Sequence, residues 1–181
     1  SRSISWLVTD ANSDAVGALT SAVVTSTVNV TAVNDRPVAT AGSSLLYTEQ
    51  GAAAVIDGGI TLSDLDDTNL VGAVVSIASA DFVAGDSLGF SAQSGISGSY
   101  NAATGVLTLS GTATVAQYQA ALRSVTFSST SDDPTVNNTR LSRSISWLVT
   151  DANSDAVGAL TSAVVTSTVK DRKSTRLNSS H

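Results

Sequence analysis

Residues 1–28, SRSISWLVTDANSDAVGALTSAVVTSTV, recur without a change at 142–169, an offset of 141 residues. Self-similarity at a fixed period is the mark of modules strung or stacked in arrays. The chain therefore reads as one period of about 141 residues preceded by part of a neighbouring period. Residues 1–34 are expected to be the last two strands and the linker of a preceding repeat, and 35–169 one complete repeat. The two copies part at one point, where Asn29 follows the first and Lys170 follows the second and opens KDRKSTRLNSSH. That ending reads as the translation of a sequencing-library adapter joined within an Asn codon. Residues 170–181 are therefore expected to be a non-native, disordered tail and are set aside from fold and function.

The exclusion has chemical consequences, because the single His of the chain, His181, and both Lys, Lys170 and Lys173, fall in that tail. What remains has no His, Lys or Cys, and so few routes to activate a nucleophile or move protons near neutral pH. The chain is expected not to be an enzyme. Residues 1–169 carry five Arg against thirteen Asp and Glu49, a net charge of −9, whereas the whole chain carries −6. Such an acidic surface excludes nucleic acid as a partner. No apolar run approaches the roughly 18 residues needed to span a bilayer as a helix.

Hydrophobic periodicity points to strands. Ile4, Trp6 and Val8 alternate with Ser3, Ser5, Leu7 and Thr9, and Val24, Val28, Val30 and Ala32 continue a period of two beyond the polar turn DANSDAVG. This is a hairpin pattern, repeated at Ile145, Trp147 and Val149, and it places Trp6 and Trp147 in a core. Further strands are expected near 45–48, 70–79, 86–91, 96–100, 105–110 and 124–128, with a turn at Asn101 and Gly105. One helix breaks the pattern. Thr114 and Gln117 match a capping box, and Val115, Tyr118 and Leu122 share one helical face. Many short strands with closely spaced turn signals, and one short helix, give an all-β fold built as a two-sheet sandwich.

Three acidic clusters stand out: Asn34-Asp35 before Pro37, Asp64-Leu65-Asp66-Asp67, and the turn Asp151, Asn153, Asp155 with its copy Asp10, Asn12, Asp14. Crowded carboxylates repel one another, and a hard cation that accepts six to eight oxygens relieves that repulsion. Calcium is the natural candidate, since zinc's usual His and Cys are missing. Asp and Asn also favour turns for backbone reasons alone, so a solvated turn is the competing explanation for each cluster. Neither DANSDA nor DLDDTN is an EF-hand loop, because Ser162 and Val75 stand where the bidentate Glu belongs.

The order of the clusters resembles that of cadherin and bacterial cadherin-like repeats. The strand ending VTD at 149–151 with its polar turn is similar to the final hairpin of such a repeat. VNDRP at 33–37 resembles the cadherin linker, and SDLDD at 63–67 resembles the early Asp-x-Asp segment. The phrase GSYNAATGVLTLSGTATVAQYQAALRSVTF is closer to the Ig-like tandem repeats of large secreted bacterial adhesins. The resemblance implies a Greek-key sandwich and calcium held by Asn34, Asp35, Asp64, Asp66 and Asp151, with Asp67 as an extra ligand. It places Glu49 at the opposite, truncated junction. Arg36 departs from the linker motif, where a second Asn is usual, and no Asp-Arg-Glu segment lies between the clusters; both departures lower the expected ion count.

The resemblance further implies an extracellular, cell-surface location and a role as a calcium-stiffened spacer in adhesion or biofilm formation. The partners would be adjacent repeats of the same polypeptide. A direct glycan- or cell-binding module is the alternative, one that exposed aromatics would favour. Two identical segments facing one set of partner strands must also compete, which predicts either disorder of 1–28 or strand exchange between chains.

Overall fold

The computed structural model describes residues 1–154 and 156–172, the last of these by its backbone alone. It divides into two units, 1–33 and 34 onward. The boundary falls one residue earlier than the sequence suggests, because the Asn34 side chain is bonded within the second unit.

The first unit is a hairpin of β1 (Arg2–Trp6) and β2 (Val24–Val28), paired antiparallel from Arg2↔Val28 to Trp6↔Val24. Its turn closes on its own side chains. Asp10 Oδ1 accepts the N–H groups of Asn12 and Leu19, both at 3.1 Å, and Asn12 Oδ1 accepts that of Gly17 at 2.6 Å. The alternating apolar face predicted for this hairpin is present but uncovered, and Trp6 is 58% exposed. Burial of Trp6 was expected from its pattern, and the structure corrects this. A strand's apolar face is buried only where a second layer covers it, and within its own unit Trp6 meets none.

The second unit begins with β3 (Val38–Thr40), β4 (Ser44–Thr48), β5 (Ala54–Val55), β6 (Thr61–Ser63) and β7 (Asn69–Ile77). It continues with β8 (Asp86–Gly89), β9 (Ser97–Asn101), β10 (Val106–Thr114), α1 (Val115–Arg123) and β11 (Thr126–Ser129). The closing hairpin is β12 (Ser142–Asp151) and β13 (Val165–Arg172). Six strands form the large sheet in the order β4-β13-β12-β7-β10-β9, opposed by β5-β11-β8 and by the pair β3-β6. Consecutive strands change sheet repeatedly, and one hydrophobic core joins Val75, Leu107, Ile145 and Trp147 of the large sheet to Leu88 and Phe127 of the small one and to Ile56 just after β5. The fold is an all-β sandwich with one short helix, as the alternation predicts.

The helix forms where its capping box lies. Thr114 Oγ1 accepts the Gln117 N–H at 3.2 Å, and Gln117 Oε1 accepts the Thr114 N–H at 2.9 Å. Tyr118, Ala121 and Leu122 turn inward to the core. The strand β13 runs on through Lys170, Asp171 and Arg172, into the segment expected to be disordered, because β12 and β4 offer partners on both sides. The rest of that segment, 173–181, and Asp155 lie outside the described residues.

Candidate functional site

Six of the seven residues singled out from the sequence meet at one end of the sandwich. Asp151 ends β12, where its carboxylate closes the final hairpin by accepting the N–H groups of Leu160 at 2.9 Å and Asn153 at 3.3 Å. Asp10 makes the same bonds in the first unit, so this turn is self-sufficient. What the second unit adds is Asn34. Its Nδ2 donates to Asp151 Oδ2 at 3.1 Å and to the Gly158 carbonyl at 2.6 Å.

The next residue, Asp35, donates its N–H to Asp66 Oδ2 at 2.8 Å. Asp64 Oδ1 gathers the N–H groups of Asp66 and Asp67 at 3.3 and 3.1 Å, an Asx-type turn that crowds three carboxylates at the head of β7. Asp67 Oδ1 in turn accepts the N–H of Ser154 at 3.1 Å and its hydroxyl, and Ser154 lies in the Asp151 turn. The contacts thus close a circuit through the turn: Asp151, Asn34, Asp35, Asp66, Asp64, Asp67 and Ser154.

This circuit is poorly satisfied within. Asp151 is fully buried, Asp67 nearly so and Asn34 largely so. Asn34 Oδ1, Asp64 Oδ2 and Asp67 Oδ2 are buried without any hydrogen-bond partner. Buried oxygens of this kind are costly unless something donates to them or coordinates them. Among the described residues no Lys or Arg forms an ion pair with these carboxylates; the one ion pair there, Arg143 to Asp86, lies elsewhere. Burial pushes the Asp64 carboxyl above its ordinary pKa and the neighbouring Asp66 adds to the rise, while the Asp35 N–H holds Asp66 below its own. Among the described residues no three carboxylates already stand at metal-ligand spacing. Asn34 and Ser154 occupy places in the circuit between them.

Glu49 lies elsewhere. It follows β4, whose last residue pairs with Arg172, while β12 runs from Ser142 beside Lys170 to Asp151 at the other end. Glu49 lines an open cavity with Asp132, Asp133 and Asp171, at the pole opposite the other six. Sequence reasoning missed Ser154 and the Gly158 carbonyl, which contribute by position in a turn and carry no compositional signal.

A stretch of 115 residues, 61% of this chain, is 36% identical to halomucin of Haloquadratum walsbyi (strain DSM 16790 / HBSQ001), of which it covers 1%. The chain therefore spans about one hundredth of the length of that relative. No known protein family matches the chain. No solved structure matches it either.

Proposed function

We propose that this chain is a structural repeat of a very long cell-surface adhesin, in which the Asn34–Asp67 and Asp151 circuit binds calcium and stiffens the connection to the preceding module. The observation that carries the reading is the trio of buried, partnerless oxygens, Asn34 Oδ1, Asp64 Oδ2 and Asp67 Oδ2, set in a closed circuit of carboxylates that have no ion-pair partner among the described residues. An all-oxygen donor set of carboxylates, an amide and a hydroxyl suits a hard divalent ion. Bound there, the ion supplies positive charge that offsets carboxylate repulsion.

The chain's own residues do the rest. Asn34 and Asp35 fasten the connector to the sandwich through Asp151 and Asp66, so ligation at these residues makes bending of the connector cost coordination bonds. The likeness to a stretch of halomucin, of which this chain spans about 1%, supports a module within a very long protein. Repetition of 1–28 at 142–169 supports neighbours of the same kind along one polypeptide. An extracellular location and a part in adhesion or biofilm formation belong to this same proposal. A direct glycan-binding role gains no support from the aromatics: Tyr47, Tyr118 and Trp147 are buried, and exposed Trp6 is the copy of a core residue.

Isothermal titration of the chain with calcium is the test. Saturable binding that falls at least tenfold in Asp64→Asn and in Asp67→Asn supports the reading. Equal heats from both variants and the parent chain would refute it.

A further inference from the structure

Residues 130–141 join β11 to β12 in a loop whose backbone is left-handed at three consecutive residues, with φ of +48° at Val136, +55° at Asn137 and +63° at Asn138. Such backbone suits Asn but is disfavoured for a β-branched Val, so the turn persists only because its surroundings impose it. Asp133 Oδ2 accepts the Asn137 N–H at 2.8 Å, Thr135 Oγ1 accepts that of Asn138 at 3.2 Å, and the Thr135 carbonyl accepts that of Arg140 at 2.8 Å. Two guanidiniums fasten the loop to the sandwich. Arg143 donates to the Pro134 carbonyl and Arg140 to the Phe82 carbonyl, both at 2.6 Å.

None of these bonds runs through the side chain of Asn137. Other Asn side chains in the turns of the second unit are engaged with the backbone: Asn34 donates to the Gly158 carbonyl, while Asn101 and Asn153 accept the N–H groups of Ala103 and Gly158. Asn137 is exposed, and its amide has no hydrogen-bond partner among the described residues.

Thr139 follows two residues later, so the free amide heads the triplet Asn137-Asn138-Thr139, with no proline between. Asn-x-Ser/Thr is the acceptor pattern for a glycan linked to Asn, and an exposed loop is the context it requires. A triplet this short arises readily in a chain rich in Ser and Thr, and what distinguishes this one is an amide that the fold leaves free. Asn138 is exposed too, but Arg140 stands where its Ser or Thr would have to be. The triplet at Asn29 belongs to the first unit and that at 178–180 lies outside the described residues, so neither adds support.

We propose that Asn137 is a modification site that carries an N-linked glycan. This rests on the extracellular location proposed above and not on the cation. The donor is a sugar activated on a lipid phosphate or diphosphate. The Asn137 amide nitrogen forms a bond to the anomeric carbon, the bond from that carbon to the phosphate oxygen breaks, the lipid phosphate leaves, and the amide proton passes to a base of the transferase. The turn keeps every bond that closes it. Asn137 lines the open cavity of Glu49, Asp132 and Asp133, at the pole opposite the proposed cation site, so glycan and cation do not compete for space.

The full chain, secreted through a eukaryotic secretory pathway, tests this. Trypsin releases residues 124–140, a peptide in which Asn137 heads the single acceptor triplet. Mass spectrometry is expected to find a glycan on this peptide in most molecules, and peptide N-glycanase to remove it while converting the Asn137 amide to a carboxylate. Asn137→Gln and Thr139→Ala are each expected to abolish the modification, whereas Asn138→Gln and Thr139→Ser retain it. An unmodified Asn137, in secreted or retained chain from cells that glycosylate a reference protein, overturns the proposal. So does a glycan that survives Asn137→Gln on the same peptide. Calcium titration reads the cation site separately, and an unmodified Asn137 leaves that result unchanged.

Discussion

The hydroxyl of Ser167 donates to Asp57 Oδ2 at 2.7 Å while its oxygen accepts the indole N–H of Trp147 at 3.0 Å. One serine thereby ties the closing hairpin to the loop after β5. The carboxylate of Asp57 also receives the N–H groups of Gly42, Ser43 and Gly59, each at 3.0 Å, and the Ser43 hydroxyl at 2.8 Å. A buried charge without a counter-ion persists here because five donors replace its water.

Asp57→Ala is expected to cost about 2–3 kcal/mol, since it strands several buried donors. Urea denaturation measures this.

Acid should reveal the same residue. Burial pushes the Asp57 pKa up, but bonds from Ser167, Gly42 and Ser43 together outweigh it and hold the group well below the usual carboxylate range. A depressed native pKa means stability is fully present above the unfolded-state value near 3.8 and is lost as pH falls below it. The parent chain should therefore lose more stability than Asp57→Asn between about pH 4 and pH 2, as followed by melting at each pH.

The two tryptophans offer a contrast at constant local sequence. Trp147→Ala should cost about 3–5 kcal/mol by opening a cavity in the core. Trp6→Ala should leave the sandwich's midpoint within about 0.5 kcal/mol, as exposed substitutions do. Equal effects would show that both hairpins are buried in solution.

Gly111 sits at a break in the β10–β7 register with φ of +128°, and a Cβ there would lie 2.3 Å from the Gly95 carbonyl oxygen. Its own carbonyl accepts the Tyr118 hydroxyl at 2.6 Å, which seats the helix on the bulge. Gly111→Ala combines a disfavoured φ with a backbone clash, and about 2–4 kcal/mol of destabilisation is expected in urea melts.

The long strands and the helix were legible because they carry a signal: alternation over five or more residues, or a Thr and a Gln three apart. The two- and three-residue strands β3, β5 and β6 carry none, since so few residues show no period. The acidic end was legible as three separate clusters, and the resemblance to cadherin-like repeats implied their convergence. Ser154 and Asp57 were not, because a serine in a turn and a lone Asp before two glycines look like any other loop. The different fates of Trp6 and Trp147 could not be read from the local pattern, which is identical in both; only the duplication, with one set of partner strands for two hairpins, pointed to a difference.

The proposed calcium site at Asn34, Asp64 and Asp67 is decided by thermal melting of the chain in millimolar calcium against the same buffer with EDTA. The midpoint is expected to lie about 3–8 °C higher in calcium, with the gain lost in Asp64→Asn, because ligand binding to the folded state adds to its stability. Coincident melts in calcium and EDTA would contradict it.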